Sequence, residues 1–302
     1  DKERYTVPRK VQDVIPIRRI WKDGIFQVGG RFSKTYQFTD INYLVASRED
    51  KEQMFLAYSE LLNSLDSGAT TKITINNRRL NQANFEQSIL MPMQGDACDV
   101  YRWEYNQMLL NKATGANGII QEKYITVSVC KKDIEEARTY FARIGADLIA
   151  HFAALGSKCT ELDAAEKLRV LHDFYRQGEE TAFHFEPQDM MRKGHDFKDY
   201  ICPDSLEKSS DCLKLGEKYC RVLFLKDYAS YIKDSMVTEL TDFNRNMMLS
   251  IDVVPIPTDE AVREVENRLL GIETNITNWQ RRQNANNNFS AVVPYDMELQ
   301  RK

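Results

Sequence analysis

His184 and His195, with Glu186, Asp189 and Asp196 beside and between them, are the residues whose types come nearest to a catalytic set. Imidazoles and carboxylates are the ligands that hold a zinc-type ion and activate a bound water, so this set would make the chain a metal-dependent hydrolase. The spacing matches no established ligand pattern, and a polar loop with solvated carboxylates is the preferred expectation. Glu179 and Glu180 invite a paired-acid reading, but adjacent residues seldom converge on one reacting bond. Ser157 and Cys159 near His151 lack the strand-to-helix elbow that exposes a nucleophile and are expected at a helix end. Gly24 and Gly29 show G-x-x-x-x-G spacing, yet Gly30 and Arg31 stand where Lys and Ser or Thr are needed, and a strand follows instead of a helix. A structural turn is expected there, with no grip on a triphosphate. Trp279, Arg281 and Arg282 could contact a nucleic-acid backbone by charge and stacking, or form a basic helix end favoured by the helix dipole. No catalytic, cofactor-binding or metal-ligating residue is expected.

The chain of 302 residues is long enough for one large domain or two ordinary ones. Hydrophobic residues at 42% and charged residues at 28% mark it as globular throughout. A formal net charge of -4 argues against a broad electrostatic footprint on nucleic acid and leaves room for a local basic patch. The longest apolar run, Ile144 to Leu155, is interrupted by Asp147 and His151 and falls short of the roughly 20 residues a bilayer demands, so no transmembrane segment is expected. Six widely spaced cysteines without C-x-x-C predict reduced thiols in a cytoplasmic setting. A charged start at Asp1 without Met and a polar end at Lys302 lead to the expectation of a fragment of a longer protein.

The elements that would position these side chains follow from periodicity. Ile15 to Phe38 reads as a strand meander with an Asp23-Gly24 turn, and Ser47 with Asp50 opens a helix carrying Met54, Tyr58, Leu61 and Leu65 on one face. Thr71 to Asn76 returns as a strand, followed by helices near Asn84 to Leu90 and Asp96 to Lys112. Tyr124 to Cys130 alternates like a strand, and Asp133 with Glu136 caps a helix running to Leu155. With a strand at Ser157 to Leu162, this order predicts a split βαβ, ferredoxin-like lobe whose helices cover one sheet face.

Asp163 with Glu166 caps a further helix, after which Arg176 to Asp204 reads as polar loop. Leu213 to Leu225 reads as a hairpin about Gly216, followed by a helix near Tyr231 to Leu240. Leu249 to Val253 then alternates as a strand before a long helix, with Thr258 as N-cap and Val262, Val265, Leu269, Ile272, Ile276 and Trp279 as a stripe expected to lie on a sheet. I-T-V-S-V-C-K-K-D-I-E-E-A-R and L-S-I-D-V-V-P-I-P-T-D-E-A-V-R match in kind, as a weak duplication of a βα unit or as two ordinary strand-to-helix turns. The expected fold class is α+β, with two lobes of mixed, largely antiparallel sheet covered by helices. The expected divisions are 1–180, a connecting loop 181–204, a second lobe 205–283 and a linker 284–302.

The run F-S-K-T-Y-Q-F-T-D-I-N-Y-L-V-A-S-R-E-D-K from Phe32 to Lys51, preceded by D-G-I-F-Q-V-G, resembles the N-terminal region of conjugative-transfer ATPases, the VirB/TrbE/TraE-type energisers of type IV secretion found on Gram-positive mobile elements. Leu171 to Glu180, His195 to Asp204, Leu249 to Ala261 and Trp279 to Arg301 extend the resemblance over nearly the whole chain. The resemblance implies an accessory domain that docks the motor to inner-membrane secretion components and couples ATP hydrolysis to DNA or protein transfer or pilus assembly. It implies that ATP and Mg belong to a C-terminal domain beyond this chain, that the parent ATPase self-associates, and that the protein lies in the cytoplasm at the inner membrane face. Direct DNA contact and a metal-dependent hydrolase are the alternative functions.

Overall fold

The computed structural model describes residues 8–79, 90–115, 119–188, 195–227, 235–242, 245–286 and 292–294. The chain is α+β and divides into two compact units, Asp1–Val253 and Val254–Lys302. In the first unit, β1 (Ile17–Ile20), β2 (Phe26–Val28), β3 (Arg31–Phe38), β4 (Ala69–Arg79), β5 (Ile119–Cys130), β6 (Cys159–Glu161) and β10 (Met247–Val253) form one antiparallel sheet. Its order is β1-β2-β3-β5-β4-β10, with β6 also on β3. A second sheet of three short strands contains β7 (Leu206–Lys208), β8 (Leu213–Leu215) and β9 (Lys218–Cys220).

Helix α1 (Arg48–Asn63) joins β3 to β4, α2 (Asp99–Gly115) lies between β4 and β5, and α3 (Ile134–Ala154) joins β5 to β6. The order β6-β3-β5-β4, all antiparallel, is the split βαβ arrangement expected from the pattern. The expected caps hold the helix starts. Ser47 Oγ accepts the Asp50 N–H at 3.1 Å, and Asp133 Oδ1 accepts that of Glu136 at 2.9 Å. Asp163 and Glu166 bond reciprocally at 2.8 and 2.9 Å to open α4 (Ala164–Tyr175).

Alternation along the strands feeds two cores on opposite sheet faces. Phe32, Tyr36, Ile125, Val127 and Val129 meet Leu61 and Leu65 from α1 and its exit, and Phe141, Ile144 and Leu148 of α3. On the other face Ile17 and Phe26 pack with Ala164 and Leu168 of α4 and with Phe197, Ile201 and Cys202. Two expectations are corrected here. The stretch 181–204 is more than a solvated connection, because the apolar residues Phe197 and Ile201 close the second core. The strand at Met247–Val253 belongs to the first sheet, paired along β4 from Met247↔Asn77 to Val253↔Thr71, instead of to a separate lobe at 205–283. Strand alternation specifies a buried face without specifying the neighbour that pairs with it.

The expected hairpin at Leu213 to Leu225 turns at Gly216 but ends at Cys220, with Val222, Leu223 and Phe224 outside the sheet and exposed. α5 (Met236–Thr241) occupies part of the Tyr231 to Leu240 expectation, whose first residues lie outside the described ones, as do residues 84–89 of the expected helix there. The second unit carries α6 (Thr258–Ala285), which starts one residue earlier than Thr258 as N-cap would give and has no side-chain cap at Pro257. Its Val262, Val265 and Leu269 are exposed, so the expected burial of the whole apolar stripe does not occur; a helical period marks a face to be covered without naming the cover.

The turn between β1 and β2 brings the backbone close to the segment before α4. Gly24 sits at φ +78°, and a Cβ there would collide with the carbonyl oxygen of Leu162. Gly24→Ala combines a left-handed backbone with this overlap, so it should cost at least about 2 kcal/mol in urea unfolding, while Gly29→Ala, which meets nothing within 4 Å, should cost less.

Candidate interaction surface

The sequence-selected chemical residues are mostly engaged in structure. His184 Nε2 lies 3.0 Å from Glu186 Oε1 on the surface. His195 is exposed beside Arg18 and Arg19, and Asp189 lies outside the described residues. Among the described residues no three His, Cys, Asp or Glu side chains converge as a metal site would require. Glu179 is held by Arg176 at 2.7 Å, and the same guanidinium reaches the Cys202 carbonyl at 2.7 Å and Asp204 at 2.6 Å. Arg176 thereby ties the end of α4 to the segment that closes the second core. Glu180 accepts the Gly178 N–H at 2.9 Å, so the two adjacent acids serve a turn.

Ser157 Oγ donates to the Thr39 carbonyl at 2.6 Å, and Cys159 is buried in the first core. Burial, reinforced by Glu161, pushes the Cys159 thiol up to about 11, away from the thiolate a nucleophile needs. Gly24 belongs to the Trp21–Ile25 turn and Gly29 to the β2–β3 connection, and neither precedes a helix. On α6, Trp279 is half-buried and Arg281 and Arg282 are exposed. Arg282, three residues on, shares the Trp279 face; Arg281, two residues on, points to the far side, so the three do not form one contact.

One group escaped the sequence reading. Lys167 of α4 places Nζ 3.3 Å from Ser33 Oγ and 4.2 Å from the centre of the Phe26 ring, with no carboxylate partner among the described residues. Burial lowers its ammonium to about 7. Only the placement of α4 over β2 and β3 brings this about, and no local spacing announces it.

What the surface does present is apolar. On α1, Phe55 is 65% and Leu56 62% exposed, and Leu44 and Val45 before the helix are exposed above 80%. Phe55 and Leu56 line an open cleft of about 460 Å³ with Tyr43, Arg48, Lys51 and Glu52. Lys51 Nζ sits 5.2 Å from the centre of the Tyr43 ring and Arg48 pairs with Glu52 at 3.2 Å, which frames the cleft with charge. On α2, Val100, Tyr101, Trp103 and Tyr105 are exposed, with Met91 and Met93 just before. This face is held in shape. Asn106 bonds both the Met91 N–H and its carbonyl at 2.9 Å, and Asp99 accepts the Gln94 and Gly95 N–H groups at 3.0 and 2.8 Å. Arg102 bonds Asp99 at 2.6 Å and also reaches Asp96, and these backbone and guanidinium donors hold both carboxyls below the usual range. Part of the signal for this surface was present in the sequence: Phe55 and Leu56 fall off the Met54, Tyr58 and Leu61 face of α1.

Comparison with models of known protein families and with curated proteins gives no match.

Two measurements follow from the titrating groups. Thiol labelling of the native protein at pH 8 should proceed readily at exposed Cys98 and Cys130 and stall at Cys159 and Cys202, both pushed up to about 11, until the chain is unfolded. For Lys167 the folded value of about 7 lies below the unfolded 10.5, so the unfolded chain binds more protons between these limits and stability rises with pH across that window. Lys167→Met should therefore raise stability most at and below pH 7, and its advantage over wild type in urea unfolding should shrink towards pH 10.

Proposed function

We propose that the chain is a non-catalytic interaction domain of a conjugative type IV secretion ATPase, docking the motor to inner-membrane secretion components. The observation that carries the reading is the set of exposed apolar side chains on α1 and on α2, the latter kept in fixed shape by Asn106, Asp99 and Arg102. Large apolar side chains clustered on an exposed face mark a surface for a partner to cover. β1 to β3 connect by a turn and a hairpin, so Gly24 and Gly29 serve strand connections and precede no helix N-terminus. No helix among the described residues is long and apolar enough to cross a membrane, so attachment on this reading runs through partner proteins. ATP, Mg and self-association belong to the parent motor.

Phe55→Ser with Leu56→Ser tests the reading. Both side chains are exposed, so stability should stay within about 0.5 kcal/mol of wild type. Retention of the tagged protein by membranes carrying the secretion components should fall at least tenfold, and equal retention, or ATP turnover by the isolated chain, overturns the assignment.

A further inference from the structure

Strand β1 contains an irregularity with a consequence for recognition. Ile17 pairs with Val28, so regular antiparallel pairing would place Arg19 opposite Phe26; instead Arg19 pairs with Gln27, and β1 carries one extra residue between Ile17 and Arg19. Regular alternation would send Arg18 and Arg19 to opposite faces of the strand. With the bulge, both guanidinium-bearing residues line one cleft of about 350 Å³, together with Trp21, His195, Asp196 and Phe197. Arg18 and Arg19 are exposed, and no hydrogen bond or ion pair engages either among the described residues. Among the described residues Asp196 is the one acid lining the cleft, and its backbone N–H donates to Asp199 Oδ2 at 3.0 Å, which fixes the turn presenting it and His195. Trp21 is partly buried against the first core, its ring centre 5.7 Å from that of Phe32.

We propose that this cleft binds single-stranded nucleic acid, with a backbone phosphate across Arg18 and Arg19 and an adjoining base or sugar against Trp21. Two guanidiniums against the one carboxylate of Asp196 leave an excess of positive charge in the cleft, which a bridging phosphate offsets through paired N–H donors. Trp21 adds the flat apolar surface on which bases stack without regard to sequence. β1 is the edge strand of its sheet among the described residues, so no further described strand covers that side of the cleft. A triphosphate held end-on would need a glycine-rich loop or helix N-terminus, and the neighbouring Trp21–Ile25 turn provides neither. The site is independent of the docking surface on α1 and α2, and it differs from the Trp279, Arg281 and Arg282 set expected from the sequence.

The test is fluorescence anisotropy of a labelled oligothymidylate with the whole chain across a salt series. Arg18→Gln with Arg19→Gln should weaken binding at least tenfold and reduce the salt slope by about 0.7, the value for one lost phosphate contact on a single strand. Trp21→Leu should weaken binding with the salt slope unchanged. If the wild type binds and only Arg281→Gln with Arg282→Gln weakens it, the cleft assignment falls while nucleic-acid contact stands. Absence of binding by the wild type overturns both. Equal competition by free thymidine monophosphate, or Arg18- and Arg19-dependent binding to phosphatidylglycerol vesicles with none to the oligonucleotide, assigns the cleft to another phosphate source and likewise overturns the proposal. Unfolding midpoints of the variants matching wild type separate loss of binding from loss of fold.

Discussion

Strand β3 has no spare edge and no spare face, and the first unit is arranged around that fact. One edge pairs with β5 over its whole length, and the other is divided between β2 at Arg31 to Ser33 and β6 at Tyr36 to Phe38. On one face Lys34 is driven into the core and must find a counter-charge, which Glu161 of β6 supplies at 2.6 Å. The pair lies against Gly145 of α3, where any Cβ would stand 2.7 Å from Glu161 Oε1 and 2.9 Å from the Tyr36 hydroxyl. A side chain at Gly145 would have to displace the Glu161 carboxylate or the Tyr36 hydroxyl, so the close crossing of α3 and the ion pair are fitted to one another. On the opposite face Ser33 meets Lys167, and Thr35 bonds Thr126 at 2.9 Å, which sets the reach of α4.

This explains which parts of the fold were legible in the chain. Local devices read correctly because their energetics are local: the caps at Ser47, Asp133 and Asp163, the Gly24 turn, and the strand alternation that predicted the βαβ order. Long-range pairing was not legible. Nothing in Leu249 to Val253 names β4 as its neighbour, and the polar composition of 181–204 hid Phe197 and Ile201, two large side chains sufficient to seal a core. The helix around Val262, Val265 and Leu269 shows the same limit from the other side, since its apolar period was plain and its covering was not.

The candidate sites divide along the same line. Residues chosen for their chemical type, such as Glu179, Ser157 and Cys159, turned out to hold backbone or fill a core, because reactive residue types are also ordinary structural ones. The features that carry function in this reading are defined by geometry: a bulge that turns two arginines to one side, and a helix whose off-stripe residues stay in water. The first depends on a register shift of one residue and the second on where packing stops. Neither is a property of any short motif.

The buried titratable groups argue in the same direction as the surface. Burial raises the Tyr36 and Tyr124 hydroxyls and the Cys159 and Cys202 thiols, so each is held in its neutral, unreactive form. Catalytic centres use burial and neighbouring charge to move a nucleophile or base towards its reactive state, with Lys167 the one group here shifted that way. Its amine faces Phe26 and Ser33 under α4, within packed structure and with no acid or electrophile-binding donor set beside it among the described residues. A lowered lysine in that setting is a cost of packing α4 on β3, tolerated because the second core it completes is larger than the charge it desolvates.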